Sequence, residues 1–223
     1  MDRDELNAYL DRVLIGGRER RKVVIADPDP GWTERFERER ARIREALGDV
    51  ARRIEHIGST AVPGLAAKPI VDVLVTLEDV EDEPAFVPQL ERAGYVLRVR
   101  EPGHRMFRTP DRDVHVHLWA DVDPEVDSYL AFRDRLRSSV EDRKAYERLK
   151  RRLAERDWED VNHYAEAKGA LVEEILSRSS RPARPEAAQD AAADWTTSAG
   201  RNSRSSSVQT VAPAAVRDRG EAS

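Results

Sequence analysis

The sequence predicts an α+β fold, a mixed sheet of about four to six strands followed by a helical C-terminal half. Three observations lead there. Pro69-Ile70-Val71-Asp72-Val73-Leu74-Val75 is nearly all apolar and β-branched, the composition of a strand covered on both faces. Asp113 to Trp119 alternates polar and apolar residues with a period of two. From Pro124 onward the apolar residues fall at helical spacing. No internal repeat interrupts this order.

The elements follow one by one. Asp4 to Leu14 reads as a helix with Leu6, Tyr9, Leu10, Val13 and Leu14 on one face, stopped by Gly16 and Gly17. Lys22 to Ala26 is a short β-prone run, and Asp27-Pro28-Asp29-Pro30-Gly31 is a turn. A second helix spans about Trp32 to Leu47, burying Trp32, Phe36, Ile43 and Leu47 and ending at Gly48. A strand from about Val50 to Ile57 enters Gly58-Ser59-Thr60-Ala61-Val62-Pro63-Gly64-Leu65, and the apolar strand follows. Glu83 to Ala93 is a helix ending at Gly94; Tyr95 to Arg100 and Arg105 to Thr109 are strands; Asp111-Arg112 turns the chain into the alternating run. Asp123 caps a helix beginning at Pro124, with Tyr129, Phe132, Leu136 and Val140 in register. Further helices cover about Glu141 to Arg156 and Val161 to Ser177.

Composition narrows the function. The 223 residues hold 39% hydrophobic and 36% charged residues, more polar than a compact globule requires, so part of the chain is expected not to fold. That part is 179–223, rich in Ser, Ala, Arg and Pro, with Trp195 its one anchor-like residue. The folded domain is expected over 1–178, with helix 4–14 as an extension. The sequence holds no cysteine, which excludes disulfides, thiolate metal sites and thiol nucleophiles. No apolar run approaches the roughly 20 residues of a membrane helix, and the N-terminus lacks a basic n-region with an apolar core. The expectation is therefore a cytoplasmic protein with no membrane partner. A net charge of −5 argues against general nucleic-acid binding.

Candidate chemistry gathers in two places. In the first, a strand ends in Gly58-Ser59, where backbone without a Cβ lets a ligand approach. Successive N–H groups beside the Ser59 and Thr60 hydroxyls can cradle an anion, and Lys68 can add a point charge. The same residues also fit a tight Gly-Pro loop with a hydroxyl cap. No GxxxxGK[ST] motif occurs, so this is not a P-loop. Asp72 follows inside the apolar strand, where a carboxylate needs a cation, a hydrogen-bond network or a metal. In the second place, Asp113, His115 and His117 share one strand face, and two imidazoles so spaced can hold a metal or flank a substrate. His56 reads equally as a buried, hydrogen-bonded histidine or a ligand. Arg133 and Lys150 can reach an anion or pair at the surface. The segment from Asn162 to Lys168 carries polar groups suited to capping or to a site.

The segment Glu55-His56-Ile57-Gly58-Ser59-Thr60-Ala61-Val62-Pro63-Gly64-Leu65-Ala66-Ala67-Lys68-Pro69-Ile70-Val71-Asp72 resembles the signature of the GrpB family, an uncharacterised protein family. The resemblance runs from Val23 through Asp29-Pro30-Gly31-Trp32 to Ile175. It takes in Gly94-Tyr95, His115-Val116-His117, Leu130-Ala131-Phe132-Arg133-Asp134, and Tyr164 with Lys168. That family is similar to the nucleotidyltransferase superfamily, with its polymerase-β-like fold, in which a Gly-Ser turn precedes metal-binding acids on neighbouring strands. The resemblance implies a nucleotide or phosphorylated small molecule as ligand and a divalent metal, Mg or Mn, or a transition metal given the histidine pair. It places Gly58, Ser59, Thr60 and Lys68 on phosphate, with Arg105, Arg133, Lys150 and Lys168 at the rim. It places Asp72, His115 and His117 at the catalytic and metal position. Ile70 stands where the first acid would be, and His115 or His117 where the third would be. The alternative is a catalytically inactive accessory or protein-interaction domain of the same fold. Some relatives are fused to a dephospho-CoA kinase; without a P-loop, kinase activity does not transfer to this chain.

Overall fold

Asp2 opens the first helix with a reciprocal cap. Its carboxylate accepts from the backbone N–H groups of Asp4 and Glu5, and the Glu5 carboxylate accepts from the N–H of Asp2. The computed structural model describes residues 2–179, so the expectations for the stretch after Ser179 and for Trp195 lie outside the described residues. In order the elements are α1 (Arg3–Val13), α2 (Gly31–Leu47), β1 (Arg53–Ile57), β2 (Val71–Leu77), α3 (Val87–Arg92), β3 (Val96–Glu101), β4 (His104–Arg108), β5 (Val114–Ala120), α4 (Pro124–Ser138), α5 (Val140–Ala154), α6 (Val161–Glu166) and α7 (Gly169–Ser179).

The strands form one five-stranded mixed sheet in the order β1-β2-β5-β4-β3. Only β2 and β5 run parallel, at the centre; the other neighbours are antiparallel. The register opposes Asp72 to His115 and Leu74 to His117. Period-two geometry then sorts the side chains. Val71, Val73 and Val75 of β2 and Val114, Val116 and Leu118 of β5 face α2 and α3, where they join Trp32, Phe36, Ile43, Phe86 and Leu90 in the main core. Asp72, His115 and His117 point to the other side. There Leu74, Ile57 and Trp119 pack against Val126 and Tyr129 of α4, and α1 covers Val99 near the far edge.

The helical half is fastened to the loop after β1. Val62 and Leu65 pack with Phe132 and Leu136 of α4, Tyr146 of α5, and Val172, Ile175 and Leu176 of α7. Arg137 adds two hydrogen bonds to the Ala61 carbonyl, at 3.0 and 2.9 Å. These contacts hold α5 and α6 over the mouth of the open sheet face.

Four expectations change in detail. Lys22 to Ala26 forms no strand; the chain makes a single bridge there, Ala26 with Ala67. Val23 and Ile25 pack with Leu153 and Tyr164 while Val24 is exposed, so the run buries its apolar face against the C-terminal helices rather than in the sheet. The helix expected over 83–93 is a 3-10 turn at Glu83–Ala85 followed by α3, with Phe86 between them outside the helical region. Val140 does not continue the buried stripe of α4. Ser139 is extended and caps α5 through the N–H of Asp142, leaving Val140 51% exposed. The helix expected over 161–177 is broken between α6 and α7, and Lys168 occupies the break.

Candidate functional site

The open face of the sheet, the segment 14–24 that follows α1 and the C-terminal helices surround a cavity of about 460 Å³. Gly58 shapes one wall. Its φ of 70° and ψ of −170° suit glycine, and a Cβ there would stand 2.4 Å from Asp72 Oδ2. The loop can therefore fold directly over the carboxylate. Asp72 Oδ1 lies 3.4 Å from His115 Nδ1 and 3.8 Å from His117 Nε2. A carboxylate oxygen and one nitrogen of each ring all lie within 4.8 Å of one another. The convergence expected from strand periodicity is present, because the parallel register sets Asp72 beside His115.

Electrostatics reflects this closeness. Burial by itself would raise the Asp72 carboxyl; His115 and His117, when protonated, overcome it and hold the group below the ordinary carboxylate range. Burial pushes the His115 imidazole down, with Asp72 partly opposing. Behind His117 stand two residues that the sequence pattern does not single out, His104 and Glu101. His104 of β4 lies 3.2 Å from His117 Nδ1 through its Nε2, and its Nδ1 lies 2.6 Å from Glu101 Oε1. Its ring is buried and stacks on Trp119 at 4.3 Å. Burial pushes the His104 imidazole well below its ordinary value.

Three lysines from three separate segments line the same cavity: Lys68, Lys150 and Lys168. Lys150 donates to the Ala66 carbonyl and lies 5.0 Å from the ring of Tyr146. Lys68 and Lys168 lie 5.9 and 4.8 Å from the ring of Tyr164. Among the described residues, none of the three forms an ion pair with a carboxylate. Burial lowers all three amines, with the mutual repulsion of the cluster adding to it at Lys68 and Lys150; Lys68 and Lys168 fall to about 8 and Lys150 to about 7. Ser59 also lines the cavity and hydrogen-bonds the buried Tyr146. The Tyr164 hydroxyl is buried with no hydrogen-bond partner. Opposite, Arg108 is held bidentately by Glu19 at 2.7 and 3.1 Å, and Arg98 is spent on the Ile15 and Gly17 carbonyls.

Other sequence candidates lie elsewhere. Arg105 pairs with Leu118 in the sheet and so faces the apolar side, away from the cavity. It is buried there between Glu81 and Glu83, each at 2.6 Å. Strand parity carried the clue, since Arg105 and Phe107 share a face. Arg133 lies outside the cavity, engaged by Glu55, Asp134 and the His56 carbonyl. Thr60 turns inward, donating to the Ile70 carbonyl and taking a hydrogen bond from His56 Nε2 at 3.0 Å. That leaves no hydroxyl hydrogen for a ligand. His56 is accordingly a structural residue, stacked on Phe36 at 4.6 Å and lowered by burial to about 4. Asp113 reaches the cavity rim, but its carboxylate is taken by Thr109 and Arg35 rather than by the histidines.

A five-stranded mixed sheet with helices on both faces, carrying a carboxylate and two histidines beside three unpaired lysines, defines an α+β protein with an enclosed polar cavity. The model of the family described as GrpB protein matches residues 22–178, and the chain belongs to that family. A UPF0157 protein of Streptomyces coelicolor is 51% identical over 166 residues, covering 74% of this chain and 88% of that one. The crystal structure of conserved protein GrpB from Enterococcus faecalis superposes with a TM-score of 0.63 at 34% identity, covering 70% of this chain and 96% of the other. A dephospho-CoA kinase of Mycolicibacterium paratuberculosis is 29% identical over 178 residues, covering 67% of this chain and 44% of the kinase. Among the described residues no helix is long and apolar enough to cross a membrane.

Proposed function

We propose that the cavity binds a nucleotide or another phosphate-bearing ligand together with a divalent metal, in a protein of nucleotidyltransferase type. The observation that carries this is the pairing of the buried Lys150 and Lys168 and the half-buried Lys68, none with a carboxylate partner among the described residues, with Asp72, His115 and His117 in one cavity. Buried ammonium groups are costly without a counter-charge, and a polyphosphate supplies one. The backbone at Gly58 and Ser59 leaves room for phosphate oxygens to approach.

The donor set suits a metal. His117 Nε2 is buried without a hydrogen-bond partner and faces an Asp72 oxygen 3.8 Å away, too far for a hydrogen bond. Asp72, His115 and His117 would hold the ion. Two imidazoles and one carboxylate favour Mn²⁺, Zn²⁺ or Ni²⁺ over Mg²⁺, which prefers oxygen. When bound, such an ion neutralises phosphate charge and polarises the reacting phosphoryl group. The chain's own residues bind and orient: the lysines fix the anion, and α5 and α6 shield the site from solvent. The partial likeness to a dephospho-CoA kinase adds weight to a nucleotide ligand.

One observation favours a second reading, a catalytically inactive accessory or protein-interaction domain. Ile70, an apolar side chain lining the cavity, stands where the superfamily pattern has its first acid. A thermal-shift screen of the full chain separates the two. The four common nucleoside triphosphates and CoA-related nucleotides are each paired with Mg²⁺, Mn²⁺, Zn²⁺ and Ni²⁺. A nucleotide that binds only the native state raises the melting temperature by mass action. Asp72→Ala is expected to abolish the metal-dependent part of the shift. No shift with any pair, or an Asp72→Ala response equal to wild type, overturns the nucleotide-and-metal reading.

A further inference from the structure

His117 is oriented by a chain of buried groups that leads away from the cavity. Glu101, His104 and His117 are 5%, 2% and 8% exposed, and they line up through contacts of 2.6 and 3.2 Å. Glu101 closes β3 and His104 opens β4, so the two are opposed in the antiparallel register across a tight turn at Gly103. In the next pair of strands His104 stands opposite Trp119, and Met106 opposite His117. His104 and His117 thus lie diagonally across neighbouring strands on the same face. Trp119 stacks under the His104 ring and Tyr129 tilts over His117 at 6.0 Å, which limits how either imidazole can turn.

The positions of the hydrogens follow from what each group can donate. An ionised carboxylate only accepts, so the hydrogen between Glu101 and His104 sits on His104 Nδ1. A neutral ring with its hydrogen at Nδ1 has a lone pair at Nε2. His117 Nδ1 faces that lone pair at 3.2 Å and must supply the hydrogen. A neutral His117 is then left with a lone pair at Nε2. That nitrogen is buried, has no hydrogen-bond partner, and faces Asp72. Two acceptors turned toward each other across 3.8 Å repel unless something bridges them, and a cation held by Asp72 and His117 would do so.

We propose that His104 is a positioning residue which, backed by Glu101, locks His117 in the Nδ1–H tautomer and aims its Nε2 lone pair at the space shared with Asp72 and His115. The arrangement extends the familiar carboxylate–histidine support of a metal ligand by one imidazole. A histidine free in water favours the opposite tautomer, with hydrogen on Nε2. The chain of groups therefore does something that the ring would not do unaided. The metal half of this inference rests on the metal-centre reading above; the tautomer half does not.

The test uses the full chain labelled with ¹⁵N-histidine, whose five histidines keep the spectrum simple. Long-range ¹H–¹⁵N correlation reads which nitrogen of each ring carries hydrogen, and loss of one signal set in His117→Gln assigns that residue. In metal-free wild type, His117 is expected with hydrogen on Nδ1 and a bare Nε2. His104→Phe keeps the stacking on Trp119 but removes the acceptor, and should return His117 to the Nε2–H form. His104→Gln, whose side-chain oxygen can accept, should restore the Nδ1–H form at least in part. Titration with Co²⁺, followed by its visible absorption, adds a second readout. Affinity should fall about 10–100-fold in His104→Phe and recover in His104→Gln. An Nε2–H tautomer in the wild type overturns the proposal with no variant needed, and so does a His104→Phe spectrum with His117 unchanged. A wild type that shows the Nδ1–H tautomer yet binds no Co²⁺ breaks the metal-centre reading and leaves the role of His104 standing.

Discussion

The two faces of the sheet treat their side chains differently. On the face toward α2 and α3, Val73, Val116, Leu118 and Phe107 are sealed in a continuous core, and the buried Arg105 is saturated by Glu81, Glu83 and the Glu101 carbonyl. On the face toward the cavity, Lys150 and Lys168 are buried and Lys68 half-buried without a carboxylate partner among the described residues, where His117 and Tyr164 also keep buried polar atoms without partners. The first face is completed by the chain itself. The second keeps charge and hydrogen-bonding groups that the chain does not pair, which are costly in a folded protein and are what the proposed binding rests on. The main core and the proposed site thus lie on opposite sides of a single sheet.

Substitutions can break that contrast, beginning with the largest effect. Phe107→Ala empties part of the sealed core, where Phe107 is fully buried and meets Phe86 edge to face. It should cost about 3–5 kcal/mol in chemical denaturation while leaving any ligand-induced thermal shift in place. Gly58→Ala should cost about 2–3 kcal/mol, since it combines positive φ with a Cβ pressed onto Asp72. It should also remove the metal-dependent shift, a double loss that Phe107→Ala does not share. If Gly58→Ala retained full ligand response, the close approach of the loop to Asp72 would not matter for binding.

Lys168→Met should act in the opposite direction. Replacing an unpaired buried ammonium by an apolar chain of similar length should stabilise the ligand-free protein by about 1 kcal/mol, measured by urea unfolding. The same variant should lose the stabilisation given by pyrophosphate or a triphosphate. A destabilised Lys168→Met protein would mean that the cavity lysines are structural after all, like Arg105.

The smallest effect is in the pH dependence. The ordinary lysine value is 10.5, and the three cavity amines lie at about 8, 7 and 8 when folded. Between about pH 7 and 10.5 the unfolded chain therefore holds more protons than the folded one at these positions. The linkage slope is positive there, so the lysines make stability rise with pH. Wild type should gain more stability than Lys168→Met between pH 7 and 9. An anion in the cavity should return protons to the amines and reduce that difference. Equal slopes for the two proteins would show that Lys168 titrates as it does in the unfolded chain.

Much of the fold follows from local pattern. The apolar run of β2, the alternation of β5, the helical stripe of α1 and the cap at Asp123 are short-range features, and each appears within a few residues of its expected place. The gathering of Asp72, His115 and His117 was legible only with the family resemblance added, since period-two geometry puts the two histidines on one face and the resemblance makes the two strands neighbours. Thr60 shows where local reading misled. A hydroxyl after Gly-Ser suggests an anion loop, but a donor can serve only one acceptor, and the Ile70 carbonyl takes it.

The sequence by itself determined which residues alternate across each strand and where the chain must turn. Only the tertiary structure decided which side of the sheet became the cavity. Alternation says that Arg105 and Phe107 share a face; the pairing of β4 with β5 says that this face is the core. His104 and Glu101 gained a role because antiparallel pairing opposed them and set His104 diagonally across from His117. Lys68, Lys150 and Lys168 are separated by up to a hundred positions and meet because α5 and the break between α6 and α7 pack over the sheet. The physical reason is common to all three cases. Backbone geometry acts over a few residues and can be read from spacing, whereas burial and pairing depend on which distant surfaces the whole chain brings into contact.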